Sequence, residues 1–291
     1  MKRPRNFASD NNSGICPEAW TALEEANQNH ALGYGDDRWT KQAADLIREV
    51  FETDCEVFFV FNGTAANSLS LASTCRSYHS ILCHENAHVE QDECGAPEFF
   101  SNGTKVQLVP GANGRMTPQG IETAVLKRTD LHFPKTRAVT LTQATELGTL
   151  YQPAQLQAIH RVAKKHELKI HMDGARFANA VAQLKVAPKE ITWKAGVDAV
   201  TFGGTKNGLM GVEGVIFFDP DKAWEFELRR KRGAHLFSKH RYLSAQMLAY
   251  LENDLWIKLA NKANKSASRL IEGLKDIKDV KITLSQPFPR D

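Results

Sequence analysis

The chain has 291 residues, 42% hydrophobic and 24% charged, which suits a globular protein with one large domain and a smaller one. Its net charge of +3, from 37 basic and 34 acidic side chains, is too small to argue for a nucleic-acid or membrane-surface partner. The cysteines (Cys16, Cys55, Cys75, Cys83 and Cys94) are odd in number, scattered and without a C-x-x-C pair, which argues against a disulfide framework or a zinc site and fits a reducing, cytoplasmic compartment.

The basic start Met1-Lys2-Arg3-Pro4-Arg5 lacks the apolar core of a secretory signal, and no apolar stretch approaches the roughly 20 residues of a membrane span. Residues 7–20 read as an irregular arm, and Pro17 suits a first helical turn. Gly33-Tyr34-Gly35-Asp36-Asp37 reads as a glycine-rich surface loop. Residues 57–61, Val-Phe-Phe-Val-Phe, form an apolar run suited to a strand covered on both faces. Asn62-Gly63-Thr64 breaks the run, and a helix follows with Ala65, Leu69 and Ala72 on one face. Free N–H groups at such a helix start suit a phosphate, although a plain strand–helix turn is the more common explanation of such a pattern. Residues 80–83 predict a second strand. The string His84-Glu85-Asn86-Ala87-His88 matches H-E-x-x-H formally. It follows a strand directly, beside poor helix formers, so no metal is expected.

Residues 106–109 and 137–142 predict further strands, with a helix start at Thr117-Pro118 between them. Residues 152–167 predict a helix with Leu156, Ile159 and Ala163 on one face. Strands at 169–172, 199–202 and 214–218 follow. Strands and helices thus alternate from about residue 55 to 220, the rhythm of an α/β fold with a mostly parallel sheet. From 222 the pattern turns helical: 224–232, a long helix over 242–262, another over 266–275, and one strand at 280–284. This predicts a large domain over 1–221, including the arm 1–20, and a small domain over 222–291 that is cut short.

Two strand ends carry the chemistry. His171-Met172-Asp173-Gly174-Ala175-Arg176 closes one and Gly203-Gly204-Thr205-Lys206 closes the other. Charged side chains at the C-terminal ends of parallel strands point into the crevice where open α/β sheets bind ligands. A carboxylate for a pyridinium nitrogen and a lysine for a Schiff base are the protein's half of pyridoxal phosphate chemistry.

With these motifs in this order, the sequence from about Ser9 to about Leu284 resembles the low-specificity L-threonine aldolases, of the β-eliminating lyase group and pyridoxal-phosphate-dependent fold type I. The resemblance implies a lyase that cleaves L-threonine, L-allo-threonine and related β-hydroxy amino acids to glycine and an aldehyde, working as a homo-oligomer, typically a tetramer with sites shared between subunits. It implies that Lys206 carries pyridoxal 5'-phosphate and that Asp173 pairs with its ring nitrogen. Arg176 would lie near its 3-hydroxyl, Gly63, Thr64 and Thr205 at its phosphate, and His88 on its ring with Glu93 behind. Ser9 would help hold the substrate carboxylate, and the Tyr34 loop would lie near a subunit interface. A nicotinamide site is disfavoured because no G-x-G-x-x-G follows the first strand. Two departures stand out. Glu146 occupies a position where many relatives carry a histidine, which bears on threo/erythro preference. The chain also stops at Arg290-Asp291, where relatives continue into a sheet bearing an arginine for the substrate carboxylate; Arg290, in a Pro-broken tail, is a poor substitute. A β-eliminating lyase, a racemase or a weakly active cofactor-binding protein remain alternatives.

Overall fold

The computed structural model describes residues 8–282, apart from the Lys222 side chain. The strands are β1 Glu56–Val60, β2 His79–His84, β3 Lys105–Val109, β4 Lys135–Thr142, β5 Lys169–Gly174, β6 Ala199–Gly203 and β7 Glu213–Phe217. They form one seven-stranded sheet in the order β1-β7-β6-β5-β4-β2-β3. Only β7 runs antiparallel to its neighbours β1 and β6; the remaining pairs are parallel. Each strand lies within two residues of its expected position; the central β6 and β7 are buried at every residue, as apolar runs covered on both faces should be, whereas the edge strand β3 leaves Leu108 exposed.

The helices are α1 Pro17–Ala26, α2 Arg38–Phe51, α3 Gly63–Thr74, α4 His88–Gln91, α5 Ala96–Phe100, α6 Pro118–Leu126, α7 Pro153–Lys165, α8 Phe177–Leu184, α9 Ala223–Arg232, α10 Arg241–Leu251 and α11 Leu255–Lys275. Side chains alternate between sheet faces with a period of two. Val200, Phe202, Ile170 and Met172 enter a core shared with α2, α7, α8, α10 and α11. Ala199, Val215 and Phe217 turn the other way, towards α3 and α9. Thr201, His171 and Asp173 share that second parity, so the polar residues of β5 and β6 lie on the face that α3 covers.

Two helical expectations change. The long helix expected over 242–262 is broken at 252–254, where Asn253 and Asp254 take φ of 54° and 56°. The helix expected over 266–275 is the continuation of α11. Past residue 222, Leu243, Met247, Tyr250 and Trp256 join the same core as the sheet. A division after 221 therefore marks a change from sheet to helical layer rather than a change of core. Of the strand expected at 280–284, residues 280–282 are not in a strand; 283 and 284, like Arg290, lie outside the described residues.

Candidate active site

The C-terminal ends of β5 and β6 and the N-terminus of α3 enclose a cleft of about 220 Å³. Gly63, Thr64, His88, Asp173, Arg176, Thr205 and Lys206 all line it. Residues far apart in the chain meet here because parallel strands deliver their C-terminal ends to one edge.

Lys206 sits in a single 3-10 turn, Thr205–Asn207, directly after β6. It is half-buried, and among the described residues its amine has no hydrogen-bond or ion-pair partner. The turn is held from both sides. Tyr250 of α10 donates its hydroxyl to the Gly203 carbonyl at 3.3 Å, and Asn207 Nδ2 donates to the Trp256 carbonyl at 2.9 Å. On the other side the Cys16 backbone N–H donates to the Gly208 carbonyl at 2.7 Å. Gly203 is required by close approach: a Cβ there would lie 2.5 Å from the Ala175 carbonyl oxygen.

Asp173 is 4% exposed. Its Oδ1 accepts from the Ala175 backbone N–H at 2.9 Å and its Oδ2 from Asn67 Nδ2 at 2.9 Å. Asn67, in the second turn of α3, also donates from Nδ2 to Glu93 Oε1 at 2.9 Å. Glu93 is fully enclosed and lies 2.9 Å from His88 Nδ1. That hydrogen bond raises the His88 pKa against the opposing effect of burial. Burial raises Glu93 as well, partly offset by its bonds to His88 and Asn67. The raised His88 pKa favours the shared proton on the imidazole, the stronger base, while the burial of Glu93 pulls the other way. His84 goes elsewhere: its Nε2 lies 2.9 Å from the Gly111 carbonyl and its Nδ1 accepts from the Asn86 N–H.

At the start of α3, Asn62 caps the helix by accepting from the Ala65 N–H at 2.9 Å. The N–H groups of Gly63 and Thr64 have no acceptor among the described residues, and a Cβ on Gly63 would meet nothing within 4 Å. Unpaired N–H groups at a helix N-terminus, facing open space, suit a phosphate. Thr205 Oγ1 accepts from the Val212 N–H at 3.2 Å, while its hydroxyl faces Glu213.

Arg176 is engaged: its Nε and one terminal nitrogen donate to the two carboxylate oxygens of Asp10 at 2.8 and 3.1 Å. Ser9 is exposed, and its Oγ accepts from the Asn11 N–H in the same turn. The arm thus reaches the cleft through Asn11. The Tyr34 loop lies against Ser238, with the Tyr34 N–H donating to its carbonyl at 3.1 Å, away from the residues lining the cleft.

The site holds residues that the sequence did not mark. Glu213, at the head of β7, is 4% exposed and accepts the Gly204 N–H at 3.1 Å; burial pushes its carboxyl up to about 7. Its available signal was a carboxylate opening an apolar run. Asn67 offered no signal beyond a polar residue on the first turns of a small-residue helix. Glu146, which the sequence did single out, also lies here: its Oε1 accepts from the His88 N–H and the Thr142 hydroxyl, each at 2.9 Å, and burial raises its pKa.

The comparisons with known proteins agree with this architecture. The family model described as beta-eliminating lyase matches residues 6–286. The chain is 55% identical to the low specificity L-threonine aldolase of Pseudomonas aeruginosa, over 96% of this chain and 80% of the relative. It is 54% identical to the enzyme of the same name from a Pseudomonas species, with the same coverage. Among solved structures, the threonine aldolase of Leishmania major superposes with a TM-score of 0.89 at 28% identity, over 94% of this chain and 79% of that one. Aspartate aminotransferase from Thermus thermophilus, at 14% identity and a TM-score of 0.70, shares the fold alone. A mostly parallel seven-stranded sheet with a lysine turn after β6 and a buried aspartate closing β5 is the pyridoxal-phosphate-dependent fold type I, and the chain belongs to the beta-eliminating lyase family.

Proposed function

We propose that this protein is a pyridoxal-phosphate-dependent aldehyde-lyase that cleaves L-threonine, L-allo-threonine and related β-hydroxy amino acids to glycine and an aldehyde. The observation that carries the reading is the placing of Lys206, Asp173, His88 and the α3 N-terminus around one cleft. The residues present fit the cofactor. Lys206, whose amine is uncommitted, would hold its aldehyde carbon. Asp173 would meet its ring nitrogen, and Gly63, Thr64 and Thr205 its phosphate. His88, backed by Glu93, would cover the ring.

When bound, the cofactor supplies the electron sink for the pair released as the Cα–Cβ bond breaks. The protein does the rest by position and proton transfer. His88 keeps Nδ1 on Glu93, which fixes the ring and leaves Nε2 to accept the proton of the substrate β-hydroxyl, directly or through a water. Such general-base help is worth about 10²–10⁴ in rate. Asp173 is fixed in a buried setting by Ala175 and Asn67, where a preorganised carboxylate is most effective. Arg176 lines the cleft, where it would lie near the cofactor's 3-hydroxyl, and through its pairing with Asp10 it also holds the arm and Asn11 there. Ser9 would reach the substrate carboxylate only by leaving its present cap. An apolar pocket tells aldehydes apart by about 1–3 kcal/mol per methylene, which suits low specificity.

The proposal extends to a cytoplasmic homo-oligomer, a tetramer. The free thiols support a reducing compartment. Exposed Phe61, which precedes Asn62 of the cleft lining, exposed Met210 and exposed Tyr34, at 59%, 53% and 51%, support contact with a second copy. No helix among the described residues is long and apolar enough to cross a membrane.

The test is a visible absorption spectrum after addition of pyridoxal phosphate, with aldehyde release assayed alongside. The protein is expected to show a lysine-linked cofactor band and activity, both lost in Lys206→Ala. A Lys206→Ala variant that keeps either would overturn the assignment.

A further inference from the structure

Beneath the cleft, on the sheet face that α3 covers, Thr140, His171, Thr201 and Asn67 are buried with exposures of 3%, 5%, 0% and 2%. They are linked in series. Thr140 Oγ1 lies 2.9 Å from His171 Nδ1, and His171 Nε2 lies 3.4 Å from Thr201 Oγ1. Thr201 Oγ1 lies 3.1 Å from Asn67 Oδ1, and Asn67 Nδ2 lies 2.9 Å from both Asp173 and Glu93. Sheet register makes this line possible. Thr140 sits opposite His171 on β4 and β5, and Asp173 opposite Thr201 on β5 and β6, all with one parity.

The direction of every hydrogen follows from its end point. Two carboxylates flank one end of the Asn67 amide, and an ionised carboxylate only accepts, so that end is the NH₂ and each of its hydrogens is used. The other end, Oδ1, must accept, so Thr201 spends its only hydrogen there. The Thr201 oxygen can then only accept from His171, which puts a hydrogen on Nε2. Thr140 donates to Nδ1, which carries none. We infer that Thr140, His171, Thr201 and Asn67 form a one-way donor relay that positions Asp173 and Glu93, with His171 locked as the neutral Nε2–H tautomer. The imidazole is hydrogen-bonded to Thr140 and Thr201 and feels the charge of the neighbouring Asp173; Ser70 and Thr74 of α3, with Lys169, Asp198 and Asp219, line a small cavity with the same residue. Burial lowers the His171 pKa to about 4, against the pull of Asp173, which agrees with a neutral ring.

The consequence for the reaction rests on the reading of Asp173 as the partner of the ring nitrogen. Asn67 is then a positioning residue. It is one amide that fixes both the carboxylate at the ring edge and, through Glu93, the histidine at the ring face. Thr201 and His171 hold that amide from behind, so the two carboxylates cannot reorient independently.

Nitrogen-15 NMR of the histidine rings, on the full chain both without and with pyridoxal phosphate, tests the tautomer. His171 is expected to show a protonated Nε2 and a bare Nδ1, unchanged between pH 5.5 and 8. An Nδ1–H tautomer, or protonation within that range, overturns the relay. The result without cofactor stands even if the proposed activity fails, so the two readings fail separately. In the holoenzyme, Thr201→Val leaves the Asn67 carbonyl unpaired and removes the acceptor of His171. It is expected to lower kcat about tenfold with KM little changed, and to shift the pH titration of the cofactor band. Thr201→Ser should restore both. Unchanged kcat and band titration in a folded Thr201→Val protein would also overturn the inference; should that variant not fold, the tautomer measurement on the unaltered chain still decides.

Discussion

His88 and Glu93 share a proton across 2.9 Å, and this sets the pH dependence of the site at the scale of single residues. His88 accepts a proton only when neutral, and its pKa is raised by Glu93. Activity should therefore fall as pH drops through a value above the ordinary histidine range. In Glu93→Gln the acid limb of the kcat/KM profile should move to lower pH; an unmoved limb would assign it to another group. Glu213 gives a second prediction. Burial pushes its folded carboxyl up to about 7, from 4.5 for an ordinary glutamate. Between those values the folded chain binds more protons than the unfolded one, so stability falls as pH rises. Glu213→Gln keeps an acceptor for the Gly204 N–H and removes that loss. Its advantage in urea unfolding should be absent below about pH 4.5, grow to about pH 7 and then stay level, on the order of 3 kcal/mol. At this scale the sequence revealed charged residues that close apolar runs, which is why Asp173 and Lys206 stood out. It did not reveal Asn67 or Glu213. Their importance comes from partners on other strands and helices, and a linear pattern does not carry that.

Among the elements, the lysine turn depends on its neighbours more than on its own residues. Tyr250 and Trp256, from the helices that follow the sheet, bind Gly203 and Asn207. The ends of β5 and β6 also approach so closely that Gly203 has no room for a side chain. Gly203→Ala must push the Ala175 backbone away, an overpacking cost of about 1–3 kcal/mol. It should weaken cofactor binding, measured by titrating the visible band, because Asp173 and Lys206 move apart. Tight binding in Gly203→Ala would show that the spacing is not critical. The strands were legible from their apolar runs. The break at 252–254 was not, because Asn253 and Asp254 adopt left-handed backbone in a stretch whose apolar residues continue at helical spacing. Helix α2 went unread too, although Asp37 caps it by accepting the Thr40 N–H at 2.9 Å.

Over the whole molecule, one core binds the sheet to helices from before and after residue 222. Phe202, fully buried, touches the rings of Phe51, Phe177, Tyr250 and Trp256 at centroid distances of 5.4 to 6.0 Å. Phe202→Ala should cost about 3–5 kcal/mol in urea unfolding, with a single transition if residues before and after 222 unfold together. Two separate transitions would instead establish a small domain of independent stability. The α/β class was legible because alternation of strand and helix is written along the chain, whereas the sharing of one core across 222 is a matter of packing. The central claim, that this site breaks the Cα–Cβ bond, is tested most directly by product analysis. Protein loaded with pyridoxal phosphate and given L-threonine is expected to release glycine and acetaldehyde in equal amounts. Ammonia and a keto acid in their place, or racemised threonine alone, would contradict the account.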